Sequence, residues 1–495
     1  MIEIDKLDEV FFLLHCEQDI LFELKAHFSC FAENYKFNPK FKAGFWDGKI
    51  SFFNVMTRTL PIGLLPQLLK YCKDMGHKYK FNFDVAELSN FVKDGSIKKF
   101  SDFVLKDTEF EVREHQEKAV ELSIKNKRGI IRSATAAGKS MMIYLTIMYI
   151  LIEDPEAQIL LLVPSTSLVE QMYSDFKKYG LKDIDKVFCK SYSGKDVDWG
   201  KNIICSTWQS VYKKQKPFFD KFDCLMVDEV HHAKALSIKS IAEKCSNCEY
   251  RFGYTGTLPS VQSSLFNIYG YIGPKIFDLS SRELIDKGYL SKISIINVLM
   301  KYPDKVINEN KKNDYFEEEN FIASNRLRNP VIKKILDNIP DGQNSLILVR
   351  KIEHLTLIQQ YLEENLDEKF LIENIYGKTK PEEREAIRMV MEKEKNMVLV
   401  STFGTFAEGV SVNNLHNIFF GSSYKAEIKI LQSIGRGLRK HESKDKMVLW
   451  DLVDDMRYTS KTGKVYPNHT YKHWKERLGH YKKEGFETKT MKLDL

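Results

Sequence analysis

Ser133-Ala134-Thr135-Ala136-Ala137-Gly138-Lys139-Ser140 has the side chains and the setting of a phosphate-binding loop. A β-type run, Gly129 to Arg132, leads into it, and a long apolar helical run, Met141 to Ile152, leaves it. In that setting the backbone N–H groups at the helix start point at an anion, and the helix dipole favours negative charge there. Gly138 lets the backbone approach the phosphates, Lys139 reaches the β- and γ-phosphates, and the Ser140 hydroxyl sits on Mg²⁺. Ser133 and Ala137 stand where glycines are more usual.

Working outward, Arg113 and Gln116 open a helix ahead of the loop, and the Gln116 amide offers both donor and acceptor to an adenine edge. Downstream, apolar strands end in polar clusters: Gln158 to Val163 before Pro164-Ser165-Thr166, Asn202 to Cys205 before Ser206-Thr207-Trp208-Gln209, and Cys224 to Val227 before Asp228-Glu229-Val230-His231. Strands alternating with helices predict a doubly wound, mostly parallel α/β sheet whose strand ends face one crevice. Asp228 would hold Mg²⁺ across from Ser140, and Glu229 would orient or deprotonate a water.

A charge-dense tract from Lys301 to Asn320 reads as a linker with polar helix. A second α/β pattern follows, with strands at Ser345 to Val349, Phe370 to Tyr376, Met397 to Val400 and Asn417 to Phe420. This half carries no phosphate loop. Arg436 and Arg439, spaced i, i+3, would share one helix face and suit a γ-phosphate approached from another domain. A solvated basic helix is the plainer reading of that segment.

Length bounds the chain at roughly three domains, and 43% hydrophobic with 29% charged residues is ordinary globular composition. Net charge is +7 with a pI near 8.7, which permits nucleic acid without demanding it. No signal-peptide pattern or membrane-length apolar run appears, so a cytoplasmic protein is expected. Scattered cysteines read as reduced thiols. Cys245 and Cys248 have metal-ligand spacing, with His231 and His232 upstream, yet no second pair completes a zinc site.

Residues 1–105 read as a small α+β domain. Tyr35, Phe37, Phe41, Phe45 and Trp46 interleave there with Lys36, Lys40, Lys42 and Lys49 in a hairpin or loop, either stacking on bases or forming the core. Residues 106–285 would form the loop-bearing domain, 286–455 the linker and second α/β domain, and 456–495 a basic, aromatic C-terminal helical segment that packs back or touches nucleic acid.

The ordered motifs resemble those of superfamily two helicases of the DExH kind. The loop resembles motif I, Asp228 to His231 motif II, Gly253 to Leu258 motif III, Phe403 to Val412 motif V, and Gln432 to Arg439 motif VI, while Arg113-x-x-Gln116 resembles the adenine-reading motif. Phe37-Asn38-Pro39, Gly44-x-Trp46-Asp47-Gly48, Leu60-Pro61-x-Gly63-Leu64 and Gly435 to His441 further resemble the UvsW family of T4-like bacteriophages. Ser411 replaces a common Asp of motif V, and His115 an aromatic ring beside Gln116. The resemblance implies two tandem RecA-like domains using ATP and Mg²⁺, with Gly409 at the nucleotide. It implies a monomeric DNA motor acting on forks, Holliday junctions and R-loops in phage recombination, repair and replication, alongside single-strand-binding or recombination proteins. Pro164, Ser165, Thr166, Thr207, Trp208, Gln209, Gly377 and Lys378 would touch the nucleic-acid backbone, and Lys40, Lys42 and Trp46 would add contacts from the N-terminal domain. The rivals are a DExH RNA helicase, a restriction-enzyme motor subunit and an ATP-gated DNA clamp.

Overall fold

A computed structural model describes residues 1–495 except Asp94, Ser193, Lys195, His232, Ala233, Lys234, Val410, Ser411 and Lys425. It divides into two units, Met1–Leu279 and Ser280–Leu495. His232, upstream of the Cys245 and Cys248 pair, and Ser411 of the segment resembling motif V lie outside the described residues.

The first unit begins with β1 (Ile2–Lys6) and β2 (Phe11–His15), followed by β3 (Ser29–Phe31), β4 (Lys49–Ser51), β5 (Thr59–Pro61) and β6 (Tyr79–Phe81). β5-β2-β1-β6 form a mixed sheet, and β3 pairs β4 antiparallel. Ile2, Ile4, Phe12 and Leu14 alternate inward and meet Leu24, Phe28 and Leu68, giving this part its own core. The aromatic and basic stretch is the long connection between β3 and β4, and it holds a 3₁₀ turn, Tyr35–Phe37, and a short helix, Pro39–Lys42. Pro39 at the helix start and the Asn38 cap, which accepts from Lys40 N at 3.0 Å, fix that helix. Its rings divide: Tyr35 packs on Phe31 and Phe41, whereas Phe37 and Phe45 are exposed.

The rest of this unit is a seven-stranded parallel sheet. Its strands are β7 (Arg128–Ser133), β8 (Ile159–Val163), β9 (Phe188–Ser191), β10 (Ile203–Thr207), β11 (Cys224–Asp228), β12 (Tyr250–Thr255) and β13 (Lys275–Leu279), in the order β13-β7-β12-β11-β8-β10-β9. β8, Ile-Leu-Leu-Leu-Val, is buried throughout, as a parallel strand covered by helices on both faces must be. The Cys245–Cys248 turn is organised by a buried arginine. Arg251 donates to the carbonyls of Cys248 at 3.1 Å, Ala242 at 3.0 Å and Tyr271 at 3.2 Å, and also to Cys245 O.

The second unit carries β14 (Lys292–Lys301), β15 (Ser345–Val349), β16 (Leu371–Ile375), β17 (Met397–Thr402), β18 (Asn417–Phe420) and β19 (Lys446–Asp455). A two-stranded ladder, β20 (Tyr458–Thr459) and β21 (Val465–Tyr466), precedes β22 (Thr488–Asp494). The parallel sheet runs β16-β17-β15-β18-β19-β14-β22. Numbered within each sheet, both follow the order third, fourth, second, fifth, sixth, first, seventh.

Two expectations change here. The tract expected as a linker or insertion with polar helix does hold two helices, Asp304–Asn310 and Tyr315–Ser324, but they follow a ten-residue core strand, β14, that was not expected. The C-terminal segment is a helix, His469–Lys483, plus a sheet strand, β22. Tyr471, Trp474, Tyr481 and Phe486 are buried, so its aromatics mostly pack back. The anchor is a buried ion pair: Arg477 donates to Asp451 at 2.9 and 2.7 Å, and Tyr481 OH to the same carboxylate at 2.9 Å. Among the described residues no helix is long and apolar enough to cross a membrane.

Candidate nucleotide site and nucleic-acid interface

β7 delivers the chain to the loop and the helix Lys139–Glu153 carries it away. Ala136 and Gly138 both have positive φ, 69° and 83°, so the turn is left-handed twice. At Gly138 a side chain has no room: a Cβ would lie 2.2 Å from the Gln116 amide nitrogen. That amide holds the loop from behind. Gln116 Nε2 donates to Ala137 O at 3.1 Å, and its Oε1 accepts from Arg113 N at 3.0 Å. His115 Nε2 also meets Ala137 O at 3.0 Å. Arg113 and Gln116 thus stand against the loop, with the Gln116 amide engaged by backbone on both sides. Gln116 is 5% exposed, and its amide braces the loop backbone.

The acids arrive at the end of β11. Asp228 is buried, and Glu229 takes a left-handed φ of 47°. A non-glycine residue held there is strained by about 1–3 kcal/mol, a cost that clusters at functional sites. Lys139 Nζ lies 3.4 Å from Glu229 Oε1, and His231 Nδ1 3.4 Å from Glu229 Oε2. The same His231 nitrogen meets Thr255 Oγ1 at 2.6 Å, and Thr255 donates to Thr257 O at 2.6 Å. A continuous polar chain thus joins Lys139 of the loop to the end of β12.

Burial, with the adjacent Glu229 charge, raises the Asp228 carboxyl to about 7, and Lys139 partly offsets this. Asp228 Oδ1 is buried without a hydrogen-bond partner. A buried carboxylate oxygen with no protein donor, on the same site as the Ser140 hydroxyl, fits a hard divalent cation such as Mg²⁺. That ion takes one or two protein oxygens and completes its shell with water and phosphate. No cluster of three or more His, Cys, Asp or Glu ligands occurs among the described residues, which is the cage such an ion does not need. No local pattern marks Tyr179, whose hydroxyl lies 2.8 Å from Ser140 Oγ. Its ring is set by Phe110 and Tyr144, and only the fold brings them together.

The arginines divide. Arg436 lies in the last turn of the helix Glu427–Gly437, but that helix ends before Arg439, so the two do not share a helical face. The stop is caused by packing. A Cβ on Gly437 would meet Met447 Sδ at 2.3 Å, and the buried Lys444 ammonium donates to Gly437 O at 2.8 Å. Gly409 ends the helix Phe403–Gly409.

Of the predicted nucleic-acid residues, Thr166, Gln209, Gly377, Lys378, Lys40 and Lys42 are exposed, and Pro164, Ser165 and Trp46 half-buried. Gln209 Nε2 donates to Pro164 O at 3.4 Å, so the ends of β8 and β10 form one surface. Trp208 is a correction. It lies in the core with Val211, Phe219 and Phe222, and a ring so placed cannot stack on a base. Thr207 is buried too, its hydroxyl paired with Ser210 Oγ at 2.9 Å.

Residues 109–260 match the family described as type III restriction enzyme, res subunit; residues 2–84 match the N-terminal domain of the DNA helicase UvsW; and residues 328–441 match the helicase conserved C-terminal domain. The chain is 31% identical over 490 residues to the ATP-dependent DNA helicase uvsW of Enterobacteria phage T4, spanning 96% of this chain and 95% of that one. It is 28% identical over 389 residues to the DNA 3'-5' translocase XPB2 of Sulfurisphaera tokodaii, 70% of this chain and 82% of that one. The crystal structure of T4 UvsW superposes with a TM-score of 0.52 at 29% identity, over 100% of this chain and 99% of that one. A type ISP restriction-modification enzyme bound to DNA shares the fold, with a TM-score of 0.58 at 15% identity over 78% of this chain and 31% of that one.

Proposed function

The chain belongs to the UvsW family of ATP-dependent DNA helicases, part of superfamily two, and from that premise we propose that it is a DNA motor acting on branched or duplex DNA. Forks, four-way junctions and R-loops, reached during phage recombination, repair and replication in the host cytoplasm, are its substrates in this reading. It works as a monomer and meets single-strand-binding or recombination proteins on those substrates. The observation that carries the reading is the joining of Lys139, Glu229, His231 and Thr255 into one polar chain beside the buried, unsatisfied Asp228 oxygen.

Ser140 and Asp228 would hold a Mg²⁺, which when bound would offset phosphate charge, and the loop backbone from Ser133 to Gly138 cradles the phosphates. Lys139 exchanges its ion pair with Glu229 for the γ-phosphate. Glu229, released, orients the attacking water and takes its proton, and His231 passes the change to Thr255 and β12. Arg436 and Arg439 supply positive charge to the transition state, and Gly409 lets the backbone come near the nucleotide. Thr166 and Gln209 on the first unit, and Gly377 and Lys378 on the second, contact the nucleic-acid backbone. Such contacts are sequence-independent and salt-sensitive. Residues 1–105, with Lys40, Lys42 and the Trp46 turn, select the DNA structure, and residues 456–495 complete the second domain.

The test compares ATPase stimulation by single strands, blunt duplex, forks, four-way junctions and RNA–DNA hybrids, with Lys139→Ala as control. Stimulation strongest with forks or junctions is expected. Stimulation by RNA alone would replace this reading with an RNA helicase, and DNA binding that switches with nucleotide but displaces no strand would replace it with a clamp.

A further inference from the structure

In the second unit, a cleft of about 500 Å³ is lined by Tyr315, Arg350, Tyr424, Ala426, His469 and His473. Arg350 follows β15, the second strand of its sheet, as Pro164 follows β8, the second strand of the first. The cleft therefore opens at the carboxyl ends of the strands, where ligands of parallel sheets bind. Its other wall comes from the helices Tyr315–Ser324 and His469–Lys483.

The lining is aromatic and carries little net charge. Tyr315 stands 5.1 Å from the His473 ring and 6.2 Å from His469. The Arg350 guanidinium lies between two rings, 5.7 Å from Tyr315 and 5.4 Å from Tyr424. Glu319 pairs with Arg350 at 2.8 Å, which fixes the guanidinium and offsets its charge. The start of the helix His469–Lys483 is no anion site either. Glu318 accepts from His469 N at 2.9 Å, Thr470 N at 2.8 Å and Thr470 Oγ1 at 2.7 Å. That cap also locks this helix to Tyr315–Ser324, so the rings are held in place before any ligand arrives. A phosphate would meet a guanidinium already paired with Glu319 and a helix start already capped by Glu318. A flat, uncharged, π-faced group would find rings and a guanidinium plane at stacking distance.

We propose that this cleft takes up an unpaired base of the DNA strand the motor tracks, by stacking among Tyr315, Tyr424 and His473. The proposal rests on the DNA-motor reading above. It gives the second unit a grip on exposed bases that duplex DNA does not offer.

The test uses the full chain and an oligonucleotide carrying one 2-aminopurine, either in a single strand or fully paired. The wild type should change the fluorescence of the unpaired probe and not of the paired one. Tyr315→Leu with His473→Leu should weaken single-strand binding about tenfold and leave duplex binding and its salt dependence unchanged. Tyr315→Phe, which keeps the ring, should restore it. Tyr424→Leu, on the other side of Arg350, should reproduce the loss, so the outcome does not hang on one variant's folding. Equal losses for single strand and duplex, no loss in either, or uptake of free adenosine monophosphate without a strand preference would each overturn the base site. A wild type that binds no DNA at all would instead sink the motor reading on which it rests.

Discussion

The two parallel sheets share one strand order, yet only one carries a nucleotide loop. After its first strand, the first sheet turns through Ser133 to Gly138 into Lys139 and Ser140. The second turns through Tyr302 and Pro303 into Asp304, which puts a carboxylate in the first helical turn where a phosphate would otherwise sit. Tyr302 is buried there, donating to Asp454 at 2.9 Å. After the fifth strand, the first sheet offers Asp228 and Glu229, and the second Gly421 and Ser422. After the fourth strand, the two agree: Ser206-Thr207 and Ser401-Thr402 end their strands, and the threonine hydroxyls pair three residues on, with Ser210 at 2.9 Å and Thr405 at 2.8 Å. Topology repeats the crevice, and a few loop side chains decide which crevice can hold a triphosphate.

This contrast can be broken at several points. The largest effect is expected from Lys139→Ala, which should abolish DNA-stimulated ATP hydrolysis while DNA binding persists; residual turnover near wild type would mean the second sheet hides a site of its own. Arg439→Ala should lower hydrolysis by about 10³-fold with nucleotide affinity nearly intact, and a loss of affinity alone would make it a binding rather than a transition-state group. Next in size, Asp451→Asn leaves the buried Arg477 charge uncompensated and should cost about 3–5 kcal/mol, seen as early melting of the second unit with the first unaffected.

The units should also answer pH in opposite directions. Asp228, raised to about 7, keeps a proton in the folded chain that the unfolded chain has lost, so its contribution to stability falls as pH rises from about 4 through 7. Burial, with Arg328 nearby, pushes His354 of the second unit down to about 3. Its contribution is full above about 6.5, the unfolded value, and is lost as pH falls towards 3. Melting followed separately for Asp228→Asn and His354→Gln should remove one slope each, and Mg²⁺ should flatten only the first. The smallest effect sharpens the shared feature: Thr207→Val and Thr402→Val should each cost about 1 kcal/mol, and a much larger cost at one would show that the two hydroxyl pairs are not equivalent.

The loop, the strand-end acids and β8 were legible because their patterns are local: a glycine before a lysine and a serine, two acids after four apolar residues, a run buried on both faces. β14 was hidden because the charged tract beside it masks its apolar run. β22 was hidden because Thr-Lys-Thr-Met-Lys-Leu-Asp is an edge strand, and edges carry lysines. Gln116 shows what sequence cannot supply. Its amide announces a donor and an acceptor, but only packing turns them toward the loop backbone. Trp208 is similar: an aromatic among polar neighbours at a strand end looks like a surface contact to nucleic-acid backbone until the helix Trp208–Val211 buries it.

The pairing of β22 with β14, register by register from Ile295 to Lys301, bears on how the protein behaves in concentrated solution. Removing the residues after Phe486 would take no catalytic or DNA-contacting group away. It would, however, uncover one edge of β14 from Ile295 to Lys301, with Val298, Leu299 and Met300 in it and its backbone donors and acceptors on that side unpaired. A shortened chain should therefore precipitate by strand addition between molecules while its isolated copies still bind nucleotide. In that sense the last strand is a solubility device.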